Sequence, residues 1–369
     1  MDPQQLSKTP SLTLRAQIIT IIPGKAVAML VAALLLSGAI EAAPRKKVKV
    51  AEPQAFGARA DLMRFGAALA AEQGWDVDQL QAQLAQARSL PVVQKLIMPA
   101  PAGQAKDWAA YRARFIEPRR LRAGLAFWEQ NEGALARAEA IYGVPAALIA
   151  GLIGVETFYG QITGGFRTLD ALATLGFDFP AGRSDRSAYF RGELVEFLKL
   201  CHREGLDPLA VKGSYAGAIG WPQFMPGSWT RYAIDFDGDG HVDLVNSPAD
   251  AIGSVANYLV QHGWQRGMPT HYSLAMPMAT SARAQLLAPD ILPSFTAAQL
   301  QQLGAVISEA ALEHDGLLAV VELQNGRAAP SFSLGTANFY ALTRYNWSSY
   351  YAFAVIELGQ GLVQLRQAR

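Results

Sequence analysis

The stretch Pro145 to Gly160 reads PAALIAGLIGVETFYG. Leu148, Ile149, Leu152, Ile153 and Val155 give it helical spacing. Pro145 suits a first helical turn, and Gly160 suits the position just past a helix end. The pattern predicts a helix over 145–159, and one residue in it does not belong with the rest. Glu156 is the only charged residue between Glu139 and Arg167. It falls near the end of an apolar helix, where desolvation and the negative pole of the helix both disfavour a carboxylate. A carboxylic acid that keeps its proton near neutral pH is what a general acid needs. On this stretch alone, a Glu paired with an Arg or bonding the backbone at a helix end is an equal alternative.

Outward from this helix the chain stays mainly α-helical. Helical patterns run over 61–73 and 77–87, with Leu90-Pro91 ending the pair, then over 118–142, 187–203, 249–262 and 339–358. Between 264 and 335 the helical periodicity fades, Pro and Gly recur, and LLAVVEL at Leu317 to Leu323 reads as a buried strand. At 369 residues the chain has material for two or three domains. With 51% apolar and 17% charged residues it is neither disordered nor a coiled coil. A net charge of +1 gives no basic field for nucleic acid. The single cysteine, Cys201, excludes an internal disulfide and a cysteine-cluster metal site.

The first residues read as an address. Ala26 to Ile40 (AVAMLVAALLLSGAI) is uncharged and follows Lys25, Arg15 and Lys8. That is a basic region followed by an apolar stretch shorter than the ~20 residues of a membrane span. Residues 1–43 are expected to be a signal peptide or an N-terminal anchor, and 44–55 a linker. Leu36-Ser37-Gly38 is followed by Ala39, so the cysteine of a lipoprotein box is missing. The expectation is a periplasmic location without a lipid anchor. Removing the leader takes away three bases and two acids, and the remainder is neutral. Recognition of an acidic partner by bulk charge is therefore not expected.

Two further constellations carry chemistry. DFDGDGHVDLVNSPAD, Asp235 to Asp250, opens like an EF-hand calcium loop. Asp235, Asp237 and Asp239 alternate, Gly240 permits the sharp turn, and His241 offers its backbone carbonyl. The twelfth position is Asn246 instead of Glu, so the loop is either weak or closes later, through Asp250. Calcium here is expected to be structural, and the alternative is a solvated acidic turn. The second constellation is aromatic and polar. GSYAGAIGWPQFMPGSW (Gly213 to Trp229) and NFYALTRYNWSSYYAF (Asn338 to Phe353) mix flat rings with amides and hydroxyls. This suits a sugar, with its apolar faces and polar rim. For Phe339, Tyr340 and Phe353 an aromatic core is the preferred reading.

Together these segments resemble the lytic murein transglycosylase B family. The match covers GVET-x-YG around Glu156, SYAGAIGWPQFMP at Ser214 to Pro226, DGDGHVDL at Asp237 to Leu244, AIGSVANYL at Ala251 to Leu259 and NFYALTRYN at Asn338 to Asn346. The resemblance implies a goose-lysozyme-like helical core, a helical N-terminal domain, an EF-hand-like calcium loop and a small β-containing domain. The expected division is 56–110 helical, 111–263 catalytic core with the loop at 235–250, 264–335 β-containing, and 336–369 helices completing the core. It implies Glu156 as the catalytic acid and base. Ser214, Gln223 and Asn346 are implied as polar groups of the glycan groove, with Tyr111, Tyr189, Tyr258, Tyr345 and Tyr351 as its aromatic positions. Asp235, Asp237, Asp239, His241 and Asp250 are implied for Ca2+, with no organic cofactor. The implied partners are peptidoglycan glycan strands, and other cell-wall enzymes as further candidates, for a chain expected to work as a monomer.

Most glycosidases use two carboxylates, and no second acid is linked to Glu156 in the sequence. One acid fits cleavage between N-acetylmuramic acid and N-acetylglucosamine with closure of a 1,6-anhydro ring. The alternatives are a hydrolytic muramidase of the same fold and a non-catalytic, calcium-dependent glycan-binding protein.

Overall fold

The computed structural model describes residues 53–99, 106–275 and 280–369. The predicted leader and most of the linker lie outside the described residues. Within them are sixteen helices and eight short strands.

The predicted apolar helix is the centre of the molecule. Helix Ala146–Thr157 is buried at every position except Ala147. A helix apolar on all sides can only sit inside a ring of others. Here the ring is Pro118–Gln130, Glu132–Tyr142, Pro248–Gln261 and, most extensively, the terminal helix Ser349–Gln367. The contact with the terminal helix is backbone to backbone. A Cβ on Gly151 would lie 2.3 Å from the Val355 carbonyl oxygen, and one on Gly359 would lie 2.4 Å from that of Ala147. Only glycine permits that approach.

The central helix ends two residues before the predicted boundary. Phe158, Tyr159 and Gly160 follow in left-handed conformation, with φ of 52°, 58° and 79°. Such a cap is normally glycine, and two non-glycine residues there store strain. Packing holds them. The buried Arg120 donates to the Gly154 carbonyl at 2.6 Å, and its guanidinium lies 4.7 Å from the centre of the Phe158 ring. The Tyr159 hydroxyl fills the space that a Cβ on Gly124 or Gly154 would need.

Other boundaries shift for local reasons. The N-terminal pair is over before Leu90-Pro91, its second helix ending at Ala85, and Pro91 opens a further helix, Pro91–Leu96, at a position where its missing N–H costs nothing. These helices join the rest through a polar clamp on helix Thr168–Phe177. Asp170 accepts the Arg88 N–H at 2.9 Å, Thr174 accepts the Leu90 N–H at 2.9 Å, and Asp178, just past its end, accepts the Ser89 hydroxyl at 2.7 Å. The pattern at 339–358 divides into Ala337–Thr343 and Ser349–Gln367, leaving Arg344, Tyr345 and Asn346 in the loop between.

A four-stranded antiparallel sheet interrupts the helices. Its order is Val306–Ile307, His271–Ala275, Ala328–Gly335 and Ala319–Asn325. The buried strand predicted at 317–323 is the last of these, shifted by two residues. The sheet has its own core of Leu274, Leu286, Leu300, Leu318, Val320 and Leu334. Helices Thr280–Leu287, Ala297–Gln302 and Glu309–Leu312 lie in the same segment, too short to leave a periodic signal. Asn338 ties this segment to the helical body. Its Oδ1 accepts the Gln265 N–H at 2.7 Å, and its Nδ2 donates to the Gln265 and Met268 carbonyls, both at 2.8 Å.

Candidate active site

Glu156 occupies the last turn of the central helix, 7% exposed, at the inner end of a cavity. Burial pushes its carboxyl up to about 8, and one hydrogen bond opposes the rise: the Tyr351 hydroxyl donates to Glu156 Oε1 at 2.5 Å. Desolvation wins because no cation compensates it, and the helix end adds a partial negative charge. With Oε1 engaged by Tyr351, Oε2 is the oxygen left to carry the acid proton. Below about pH 8 the group is a neutral acid. Tyr351→Phe removes the donor that favours the carboxylate. We expect the alkaline limb of its kcat/KM profile to move to higher pH than in the wild type, and kcat to fall roughly tenfold.

Besides Glu156, the cavity is lined by residues from four places in the sequence. Arg186 and Tyr189 come from around the start of helix Ser187–Glu204. Ala218, Gln223, Phe224, Met225 and Ser228 come from the predicted Gly213–Trp229 stretch. Tyr258 comes from helix Pro248–Gln261, and Arg344, Tyr345 and Asn346 from the loop before the terminal helix. Glu156 is the only carboxylate among the described residues that line it.

These side chains are held from behind. The Tyr345 hydroxyl donates to the Pro222 carbonyl, and that of Tyr258 donates to the Arg344 carbonyl at 2.8 Å. The two rings meet edge to face at 4.8 Å. Gln223 has φ of 51°, and its Nε2 donates to the Thr163 and Gly220 carbonyls at 3.0 and 2.9 Å. Both amide protons are thereby committed, and Oε1 is the atom left for a ligand. The buried side-chain amide of Asn346 makes no hydrogen bond among the described residues, which leaves its donors and acceptor for a ligand too. Arg186 and Arg344 form no ion pair among the described residues. The lining thus offers rings, amides and cations around one neutral acid.

Three predicted groove residues lie elsewhere. Tyr351 is completely buried and serves Glu156 directly, so it does not present a sugar-facing surface. Ser214 is 2% exposed, and its Oγ accepts the Ala216 and Ala218 N–H groups at 3.3 and 3.0 Å. It shapes the turn that presents Ala218, and Ala218 is the residue that lines the cavity. Tyr111 packs in an aromatic cluster with Phe115 and Tyr350, at 5.2 and 5.7 Å between ring centres. Its hydroxyl is pushed up to about 12 by burial and by the nearby Glu156 charge. Of the rings proposed for sugars in the first stretch, Tyr215 belongs to the core and Trp221 covers Gly160. Reasoning from sequence missed the hydroxyl of Tyr351 as partner of Glu156, because 195 residues separate the two.

The acidic loop is also built as a unit. Carboxylate oxygens of Asp235, Asp237 and Asp250 lie within 4.8 Å of one another. Asp239 stands outside that group, with its Oδ1 accepting the His241 N–H at 2.8 Å. Asp250 closes the loop from the start of helix Pro248–Gln261, accepting the Phe236 and Asp243 N–H groups at 2.7 and 2.8 Å. Hard oxygens at this spacing are the donor set that suits Ca2+. The loop is joined to the end of the Glu156 helix through Trp221. Trp221 donates its backbone N–H to Leu244 at 2.8 Å and its indole N–H to Val245 at 2.9 Å, while the hydroxyl of Thr157 donates to its carbonyl at 3.0 Å.

A helical body with one buried, protonated carboxylic acid in a ring- and amide-lined cavity defines a glycan-cleaving enzyme of the lysozyme-like kind. Comparison with known proteins agrees. Residues 57–360 match the transglycosylase SLT domain family. The chain is 41% identical to the membrane-bound lytic murein transglycosylase B of Escherichia coli (strain K12) over 303 residues, 80% of each protein. The Escherichia coli lytic transglycosylase Slt35, solved with bulgecin A, superposes with a TM-score of 0.75 at 39% identity, over 85% of this chain and 96% of that one. Slt35 has also been solved with calcium. SltB3 from Pseudomonas aeruginosa, in complex with NAG-anhNAM-pentapeptide, gives 0.67 at 28% identity, over 82% and 78% of the two chains. The chain belongs to the transglycosylase SLT domain family, has its goose-lysozyme-like helical fold and is a lytic transglycosylase.

Proposed function

We propose that this enzyme cleaves the bond between N-acetylmuramic acid and N-acetylglucosamine in peptidoglycan, with Glu156 as acid and then as base. The observation that carries this reading is the single carboxylate among the described residues of the cavity, buried and pushed up to about 8. Glu156 gives its proton to the bridging oxygen, which leaves as the 4-hydroxyl of N-acetylglucosamine. The substrate's own N-acetyl oxygen takes up the positive charge at C1, the substrate-assisted exception to the two-carboxylate rule. Glu156, now a carboxylate, removes the proton from the muramyl 6-hydroxyl. That oxygen closes on C1, expels the N-acetyl oxygen and leaves a 1,6-anhydro end. Glu156 has its proton back, and no water is consumed. In this scheme Asn346 and Gln223 orient the sugar through amide hydrogen bonds. Tyr189, Tyr258 and Tyr345 shield C1 from water.

Product mass separates this reading from a hydrolytic muramidase. Digestion of purified sacculi is expected to give muropeptides one water lighter than the reducing sugar. Reducing ends in their place would overturn the reading. A non-catalytic glycan-binding protein predicts no release of muropeptides at all.

In the same reading Asp235, Asp237 and Asp250 hold Ca2+, with Asp239 and the His241 carbonyl as further oxygen donors. The ion would clamp the loop on which Trp221 rests and take no part in proton transfer. Chelation is then expected to lower Tm and added calcium to restore it, the ion contributing about 3 kcal/mol of stability at a hundredfold excess over Kd. Asp237→Asn should abolish the calcium response. Equal Tm values with and without calcium would remove the ion from the account. The leader at 1–43 would deliver the enzyme to the periplasm. The division at 56–110, 111–263, 264–335 and 336–369 is part of the same proposal.

A further inference from the structure

A second cavity opens away from Glu156, where the turn between helices Ala60–Gln73 and Val77–Ala85 meets the end of helix Ser187–Glu204. It holds about 530 Å³, against about 120 Å³ for the catalytic cavity. Two rings form part of its wall. Trp75 is half-buried against the core, and the exposed His202 stacks on it with 4.5 Å between ring centres and 27° between planes. Gln79 and Gln83 lie one turn apart on helix Val77–Ala85, so their side chains share a face. The Trp75 indole N–H, the His202 ring nitrogens and both of these amides form no hydrogen bond among the described residues. Asp76 spends Oδ1 on the Gln79 N–H at 2.9 Å, which leaves Oδ2 for a ligand.

This lining selects by chemistry. Among the described residues no Lys or Arg lines the cavity, so a phosphate or carboxylate ligand finds no fixed cation there. An apolar ligand would strip water from the amides and from Asp76 without replacing its hydrogen bonds. A neutral sugar satisfies both parts of the wall. Its apolar face suits a ring, and its hydroxyl and acetamido groups suit amides and a carboxylate. His202 lies about 20 Å along its helix from Tyr189, at about 1.5 Å per residue. Leu198, Cys201 and His202, which line this cavity, face roughly a third to a half of a turn away from Tyr189, which lines the catalytic one. The two cavities therefore open on different sides of one helix, and one short sugar cannot fill both.

We propose that this cavity is a second glycan-binding site, which takes N-acetylglucosamine units of a neighbouring strand in the wall. The inference rests on the reading of the enzyme as one that acts on peptidoglycan. A polymer network presents many strands at once. A second contact holds the enzyme on it and raises the effective concentration of strands at the first. A net charge of +1 supplies no such hold.

The test is a titration of the Glu156→Gln protein with the N-acetylglucosamine tetramer, followed by nuclear magnetic resonance. The side-chain amide of Asn346 reports on the catalytic cavity. The indole N–H of Trp75, assigned through Trp75→Phe, reports on the second one. Both resonances are expected to shift, each with its own saturation curve. Gln79→Ala combined with Gln83→Ala spares Leu80 and Leu84, the buried residues of that helix, and alanine favours the helical state. This double variant should weaken Kd at Trp75 roughly tenfold, the size of two lost hydrogen bonds. Kd at Asn346 should stay as in the parent, and less of the variant should sediment with purified sacculi. A shift at Asn346 with none at Trp75 would overturn the second site and leave the catalytic reading standing. An unchanged Kd at Trp75 in the double variant, or undiminished sedimentation, would overturn it too. A shift at Trp75 alone would support the second site and count against the catalytic cavity as a glycan site. No shift at either position would overturn both.

Discussion

Glu156→Gln is expected to lose cleavage of purified sacculi by roughly 1,000-fold or more, and to be more stable than the wild type at neutral pH. The first effect follows because no other carboxylate lines the cavity among the described residues. Proton transfer by a positioned acid contributes about 100- to 10,000-fold, and here one group performs both transfers. The second effect is linkage. Folding raises the Glu156 carboxyl from its ordinary value of 4.5 to about 8. Between those values the unfolded chain has released the proton and the folded chain retains it. Stability therefore falls as pH rises through this window. The amide of Gln cannot ionise and still accepts from Tyr351. The variant's Tm should match the wild type near pH 4 and exceed it by a growing margin up to about pH 8. An unchanged Tm difference across that range would show that Glu156 ionises normally.

Gly151→Ala is expected to be among the most damaging single-methyl changes in the molecule. The added Cβ would lie 2.3 Å from a backbone oxygen of the terminal helix, which has no rotamer with which to move aside. The two helices must separate, at a cost of about 3 kcal/mol by the usual range for overpacking. The same helices carry Glu156 and Tyr351, so separation also lengthens their 2.5 Å hydrogen bond. Both Tm and kcat should fall. By contrast Gly133→Ala, at a helical position where a Cβ meets nothing within 4 Å, should keep wild-type activity and gain slightly in stability. Wild-type stability in Gly151→Ala would disprove the close packing.

What the sequence made legible was whatever is local. The apolar helix around Glu156 was plain because its signal lies within sixteen residues, and the alternating aspartates marked their loop for the same reason. The end of the helix was misjudged because its cap is made by tertiary packing. Arg120, Gly124 and Gly154 hold Phe158 and Tyr159 in conformations that their own propensities disfavour. Tyr351 was placed with the groove aromatics, whereas its hydroxyl is spent on Glu156 across a helix pair. Ser214 was assigned to the glycan, whereas two backbone N–H groups of its own turn claim its oxygen. The coupling of the acidic loop to the site runs through Trp221, whose contacts at Leu244, Val245 and Thr157 no linear pattern reveals.

The central claim is that burial keeps Glu156 a neutral acid at the pH where it works. Difference infrared spectroscopy of the wild type against Glu156→Gln, titrated from pH 5 to 9, reads that proton directly. The account predicts a protonated-carboxyl band that persists at pH 7 and is lost near pH 8, in step with the alkaline limb of kcat/KM. An ionised Glu156 at pH 6, with full activity there, would contradict it.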